Sequence, residues 1–132
     1  MTIDLASAER ILAAAKARAE ALGAKVGLSI VDPRGDLKAA VRMDGAPWRV
    51  ILISQGKAFA AAAFGVPSGD LAERANSAVM RALMQMEGGR VIPTQGAIPI
   101  RRDDDVLGAI GVSGAPTSEQ DEDIAIAGAS AF

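Results

Sequence analysis

Apolar residues open the chain at helical spacing. Leu5, Ala8, Ile11, Leu12, Ala15, Ala19 and Leu22 share one face, while Glu9, Arg10, Lys16, Arg18 and Glu20 lie largely elsewhere. With Thr2 or Asp4 as cap and Gly23 as stop, the pattern predicts a helix to about Leu22. The period then shortens. Val26 to Val31 reads as a strand, Asp32-Pro33-Arg34-Gly35-Asp36 as a tight turn, and Leu37 to Met43 as the antiparallel return. Asp44-Gly45-Ala46-Pro47 ends that hairpin. Val50-Ile51-Leu52-Ile53 is ambiguous alone, but the alanine-rich continuation settles Trp48 to Phe64 as a helix. Gly56 inside it costs about 1 kcal/mol against alanine and so marks close packing.

Gly65-Val66-Pro67 stops that helix, and Ser68 starts a short one through Ala75. Ser77 to Met86 reads as mostly helical, and Gly88 to Gly96 as a glycine-rich loop with one short strand. Ala97 to Arg101 and Asp105 to Val112 form a second hairpin around Arg102-Asp103-Asp104. Gly108 and Gly111 leave its second strand open to close approach by another element, a ligand or a subunit. Ser113-Gly114 breaks the strand. A last helix follows from about Thr117, with the capping spacing of Thr117 and Gln120 or of Ser118 and Asp121. Hairpins separated by helices predict an α+β fold, an antiparallel sheet with helices packed on its faces.

Composition narrows the chemistry. The 132 residues form one domain, residues 1–132, without repeats or linkers. A net charge of −2 gives no electrostatic reason to expect nucleic acid or an anionic membrane. No run approaches the roughly 20 apolar residues of a membrane span. Met1-Thr2-Ile3-Asp4 lacks a basic, then apolar, leader, so the expectation is a cytoplasmic protein. Histidine, cysteine and tyrosine are all absent. That removes the usual general base, the thiol, the phenolate and the commonest metal ligands together. No metal site is expected, and Asp103-Asp104-Asp105 reads as an ordinary hairpin turn.

Several residues remain as candidates, each with a plainer alternative. A strand that passes through Ser113-Gly114 into a helix N-terminus leaves N–H groups for an anion, or is simply the turn the strand needs. Lys57 could hold a ligand carboxylate, or snorkel to solvent. Arg90 in its glycine loop could clamp an acid group. Asp121 and Glu122 could form an acid/base pair, or serve the helix dipole. Trp48 could cover a pocket or a subunit interface. Met80 and Met84 read as core filler.

Gly96-Ala97-Ile98-Pro99-Ile100, the run Asp105 to Gly114, Gln120-Asp121-Glu122 and Ala127-Gly128 together resemble the GlcG/HbpS-like family, also called haem-degrading or PduO C-terminal-like. The turn Val31 to Gly35, the Lys57-Ala58 pair and the helix Asp4 to Leu12 share the likeness, which spans essentially the whole chain. The sequence departs from the family pattern at Gln95-Gly96, where the family has Gly-Gly. The resemblance implies a profilin-like fold of about five strands, assembled as a homo-oligomer, with haem or a corrinoid as candidate cofactor. Haem iron takes an axial His, Cys, Met or Tyr, and this chain offers only methionine.

Two functions follow. The first is a module binding a planar or carboxylate-bearing metabolite, its site formed by Lys57, Arg90, Gln95, Gly96, Ser113 and Gly114. The alternative is an enzyme acting on a small organic acid. There Lys57 or Arg90 would hold the carboxylate, Ser113 and backbone N–H groups would stabilise an oxyanion, and Asp121 or Glu122 would move a proton. Binding is the reading we favour. A purely structural subunit would also account for the small-residue packing.

Overall fold

Two hairpins meet to form the sheet. In the computed structural model, which describes residues 1–132, β1 (Gly27–Val31) and β2 (Leu37–Arg42) make the first, and β3 (Ala97–Arg102) and β4 (Asp105–Ser113) the second. β1 pairs antiparallel with β4, from Gly27 opposite Ser113 to Val31 opposite Ala109, giving the order β2-β1-β4-β3. The sheet thus has four strands, not about five. The extra strand expected between Gly88 and Gly96 does not form because the loop's amides are already engaged. Gly88 and Gly89 donate to the carbonyls of Gln85 and Met84, and Ile92 donates to that of Gly56.

Helices cover both faces. α1 (Leu5–Ala21) and α4 (Ser118–Ala129) lie on one, where Ile11, Ala15, Leu28, Ile30, Ile110 and Ile124 form the main core. α2 (Arg49–Phe64) crosses the other face and contacts Val31 and Ala109 through Ala58 and Ala61. Its approach is close because the strands present small residues to it. A Cβ at Gly111 would overlap the Ser54 carbonyl oxygen, and Ser29 and Ser54 share a buried hydrogen bond of 2.7 Å. The outer side of α2 is covered in turn by a 3₁₀ helix (Ser68–Arg74), by α3 (Ala78–Met86) and by the following loop. Phe59, Ala60, Leu71, Met80 and Val91 meet there in a third cluster. A helix packed on both sides is apolar nearly all round, as the buried run from Ala58 to Ala62 is.

The caps are local. Asp4, Ser77 and Thr117 accept from the amides of Ser7, Met80 and Gln120. Gly65 ends α2 in a left-handed conformation at φ 67°. No single helix is long and apolar enough to cross a membrane.

Candidate functional site

The expected recess beside Ser113-Gly114 is closed by the protein's own charges. Lys57 projects from α2 towards the end of β4 and is only 5% exposed. Its Nζ donates to the Val112 carbonyl at 3.1 Å and to Asp121 Oδ2 at 3.3 Å. Asp121, equally buried, accepts the Ala115 N–H on Oδ1 at 2.9 Å. The anion expected at this turn is thus the Asp121 carboxylate, supplied from the first turn of α4. Burial pushes that carboxyl above its ordinary value, against the Ala115 N–H and the Lys57 charge. Gly96 makes room for the pair, since a Cβ there would stand 2.8 Å from Lys57 Nζ.

The plainer reading of Lys57 does not hold, because it is not solvated, whereas Asp121 in the first turn of α4 also serves the helix dipole. Ser113 is 7% exposed, and Gly114 packs so that a Cβ would meet the Lys25 carbonyl oxygen at 2.9 Å. Gln95 rests against Gly69 of the 3₁₀ helix. Glu122 is half-exposed beside the buried Asp121. Lys57, Gly96 and Asp121 are therefore brought together, with Ser113 and Gly114 at the same junction, but as packed structure rather than around a cavity.

Arg90 stands apart from them, at a cleft of about 360 Å³ on the outer side of α2. The helix contributes Leu52, Gln55, Gly56 and Phe59, a second face at helical spacing. The loop contributes Gly88, Gly89, Arg90 and Ile92. Arg90 lies over the Phe59 ring at 4.6 Å from its centroid, a cation–π stack. A Cβ at Gly35 would collide with the same ring, so the β1–β2 turn also presses on it. Glu87 Oε2 accepts from the guanidinium at 2.9 Å, and Asp36 Oδ1 lies 3.6 Å away. The hydrogen bond to Glu87 holds the Arg90 charge more firmly than usual. Beyond Gly88 and Gly89 there is open space.

Of the candidate ligand-binding residues, Arg90 alone lines this cleft. Leu52, Gln55, Phe59 and Ile92 were missed. The available signal was the spacing of Leu52, Gly56 and Phe59 along an alanine-rich helix. A second, shallower depression is lined by Lys16, Glu20, Lys25 and Asp44. It contains none of the candidates.

The methionines lie away from the α2 cleft. Met80 is buried beside Phe59, Met84 packs against the same cluster and Met43 packs against the main core. Met1 and Met86 are more than four-fifths exposed, and no methionine lines the α2 cleft. No three Asp or Glu side chains converge as they would on a metal ion.

Residues 3–130 match the family model described as haem degrading protein HbpS-like. A 15.0 kDa protein from the dhaT–dhaS intergenic region of Citrobacter freundii is 31% identical over 121 residues, covering 91% of this chain and 84% of that protein. The Klebsiella pneumoniae protein ORFY superposes with a TM-score of 0.90 at 30% identity, over 100% of this chain and 91% of that one. A double mutant of Streptomyces reticuli HbpS gives 0.86 at 29% identity, over 98% and 86%. PduOC, crystallised as a haem complex, gives 0.87 at 28% identity, over 100% and 96%.

Proposed function

We propose, from the premise that this chain belongs to the HbpS-like family, that it is a small-molecule-binding domain whose ligand sits between α2 and the Gly88–Ile92 loop. The ligand class is a planar or carboxylate-bearing metabolite. One observation carries the reading: a guanidinium over an aromatic ring in a cleft of about 360 Å³ whose only other polar side chain is Gln55. That volume lies within the roughly 300–1,000 Å³ range of small-molecule sites. The haem complex of PduOC supports a flat ligand in this family. The residues present here do not fit a haem or corrinoid held through its metal, since the cleft has no His, Cys, Tyr or Met.

We read the architecture as profilin-like and the protein as a homo-oligomer. Trp48, Val79 and Met86, all more than half exposed, support the second point. The enzyme alternative gains no support from the geometry, because Asp121 is occupied by Lys57 and Glu122 lines no cleft.

Calorimetric titration with β-naphthoate and β-naphthamide tests the reading. At least one should bind, and Leu52→Asp, at a position 59% exposed, should weaken it about ten-fold or more. Ile126→Asp on α4, at an exposed position on the opposite face of the sheet, should leave binding unchanged. Binding of neither compound, or binding indifferent to Leu52→Asp, would overturn the site.

A further inference from the structure

We propose that the cleft selects an uncharged flat ring over an anion, and that Glu87 and Asp36 set this preference by occupying Arg90. The inference rests on the reading that the α2 cleft is the ligand site. An anion needs donors, and the cleft has almost none to spare. The Gly88, Gly89, Arg90 and Ile92 amides all donate to carbonyls of α3, Glu87 or Gly56. The loop therefore cannot act as an amide cradle for a carboxylate or phosphate.

Only Arg90 and Gln55 bring polar side chains to the lining. Arg90 is held by Glu87 at 2.9 Å and Asp36 at 3.6 Å, and Asp36 is shared with Arg34 at 3.4 Å. Two cations and two carboxylates leave the mouth without net charge. A ligand carboxylate would have to displace an acidic residue already bonded to the guanidinium, and would meet both carboxylates as like charges. A flat neutral ring meets no such opposition. The guanidinium plane, already stacked on Phe59, offers it a flat surface. Leu52 and Ile92 add apolar walls, Gly88 and Gly89 leave a side without side chains, and Gln55 can pair with one neutral polar group. The chemical class is an uncharged aromatic or heteroaromatic ring with one hydrogen-bonding substituent.

β-Naphthamide and β-naphthoate differ in charge at nearly constant shape, so the pair isolates the effect. The wild-type protein should bind the amide about five-fold more tightly, the size expected of exposed charge pairs. Glu87→Gln, and Glu87→Gln with Asp36→Asn, should raise naphthoate affinity by about the same factor and barely move naphthamide. Adding Arg90→Gln to the double variant should abolish the gain. Naphthoate bound as tightly as naphthamide by the wild type, or a preference indifferent to the acidic residues, would overturn the selectivity while leaving the site intact. If neither compound binds the wild type, the cleft reading itself fails, and the selectivity with it.

Discussion

Lys57 and Asp121, 64 positions apart, meet beneath Gly96 with Nζ and Oδ2 3.3 Å apart. The pair ties the middle of α2 to the first turn of α4 across the end of β4. Removing Lys57 leaves an unpaired buried carboxylate, so Lys57→Met alone should cost about 3–5 kcal/mol, whereas Asp121→Asn, close in shape to the protonated acid, should cost less. The double variant should lose clearly less than the sum. Urea unfolding of all four proteins measures the coupling, and strict additivity would show that the two charges do not interact.

Acid should act on this pair in an unusual direction. The folded-state pKa of Asp121 is raised from 3.8, chiefly by burial. Between the unfolded and folded values the native state therefore binds more proton. Its contribution is fully present below 3.8 and is lost as pH rises through the folded value. The stability difference between wild type and Asp121→Asn should grow on acidification through that range. Asp4 behaves oppositely. Its pKa is lowered by the Ser7 N–H, so its contribution is present above 3.8 and lost as pH falls through the folded value. The difference between wild type and Asp4→Asn should shrink over that lower range. Urea midpoints across a pH series check both signs.

The packing of α2 on the sheet depends on the absence of a side chain at Gly111. Gly111→Ala forces a methyl into the Ser54 carbonyl and the Ala58 backbone, and should cost about 3 kcal/mol. Gly88→Ala meets no atom within 4 Å, but holds a left-handed φ of 65°. Its cost should be only the backbone strain of about 1–2 kcal/mol. Urea unfolding separates the two, and equal losses would contradict the close approach.

Much of this architecture was legible because its signals are local. The Asp4 and Thr117 caps, the Asp32 to Asp36 turn and both hairpins follow from residues near one another in sequence. The charged pair was not legible as a pair. Lys57 among alanines has the same local pattern whether it faces solvent or a distant carboxylate, and only the β4–α4 crossing decides. The Ser113-Gly114 turn reads equally as an anion site or as a plain turn, and nothing near it in sequence shows that Asp121 takes the Ala115 N–H. The cleft was half-visible. Arg90 and its glycines form a recognisable loop, whereas nothing local to Leu52 or Phe59 shows that the two share a cleft wall.

The ligand set makes a prediction about haem. With no His, Cys or Tyr in the chain and no methionine in the cleft, added haemin should not acquire the Soret band of an axially ligated complex. A stoichiometric shift in the absorption spectrum would contradict the account, and replacing each methionine in turn would then locate the ligand.

On the proposed reading, ligand is taken up on the outer side of α2, while the β4–α4 turn is sealed by Lys57 and Asp121. Amide chemical-shift mapping of the labelled protein titrated with β-naphthamide tests it most directly. Changes should concentrate at Gln55, Gly56, Gly88, Gly89 and Ile92. A response centred on Ser113, Gly114 and Ala115, with the α2 cleft silent, would contradict it.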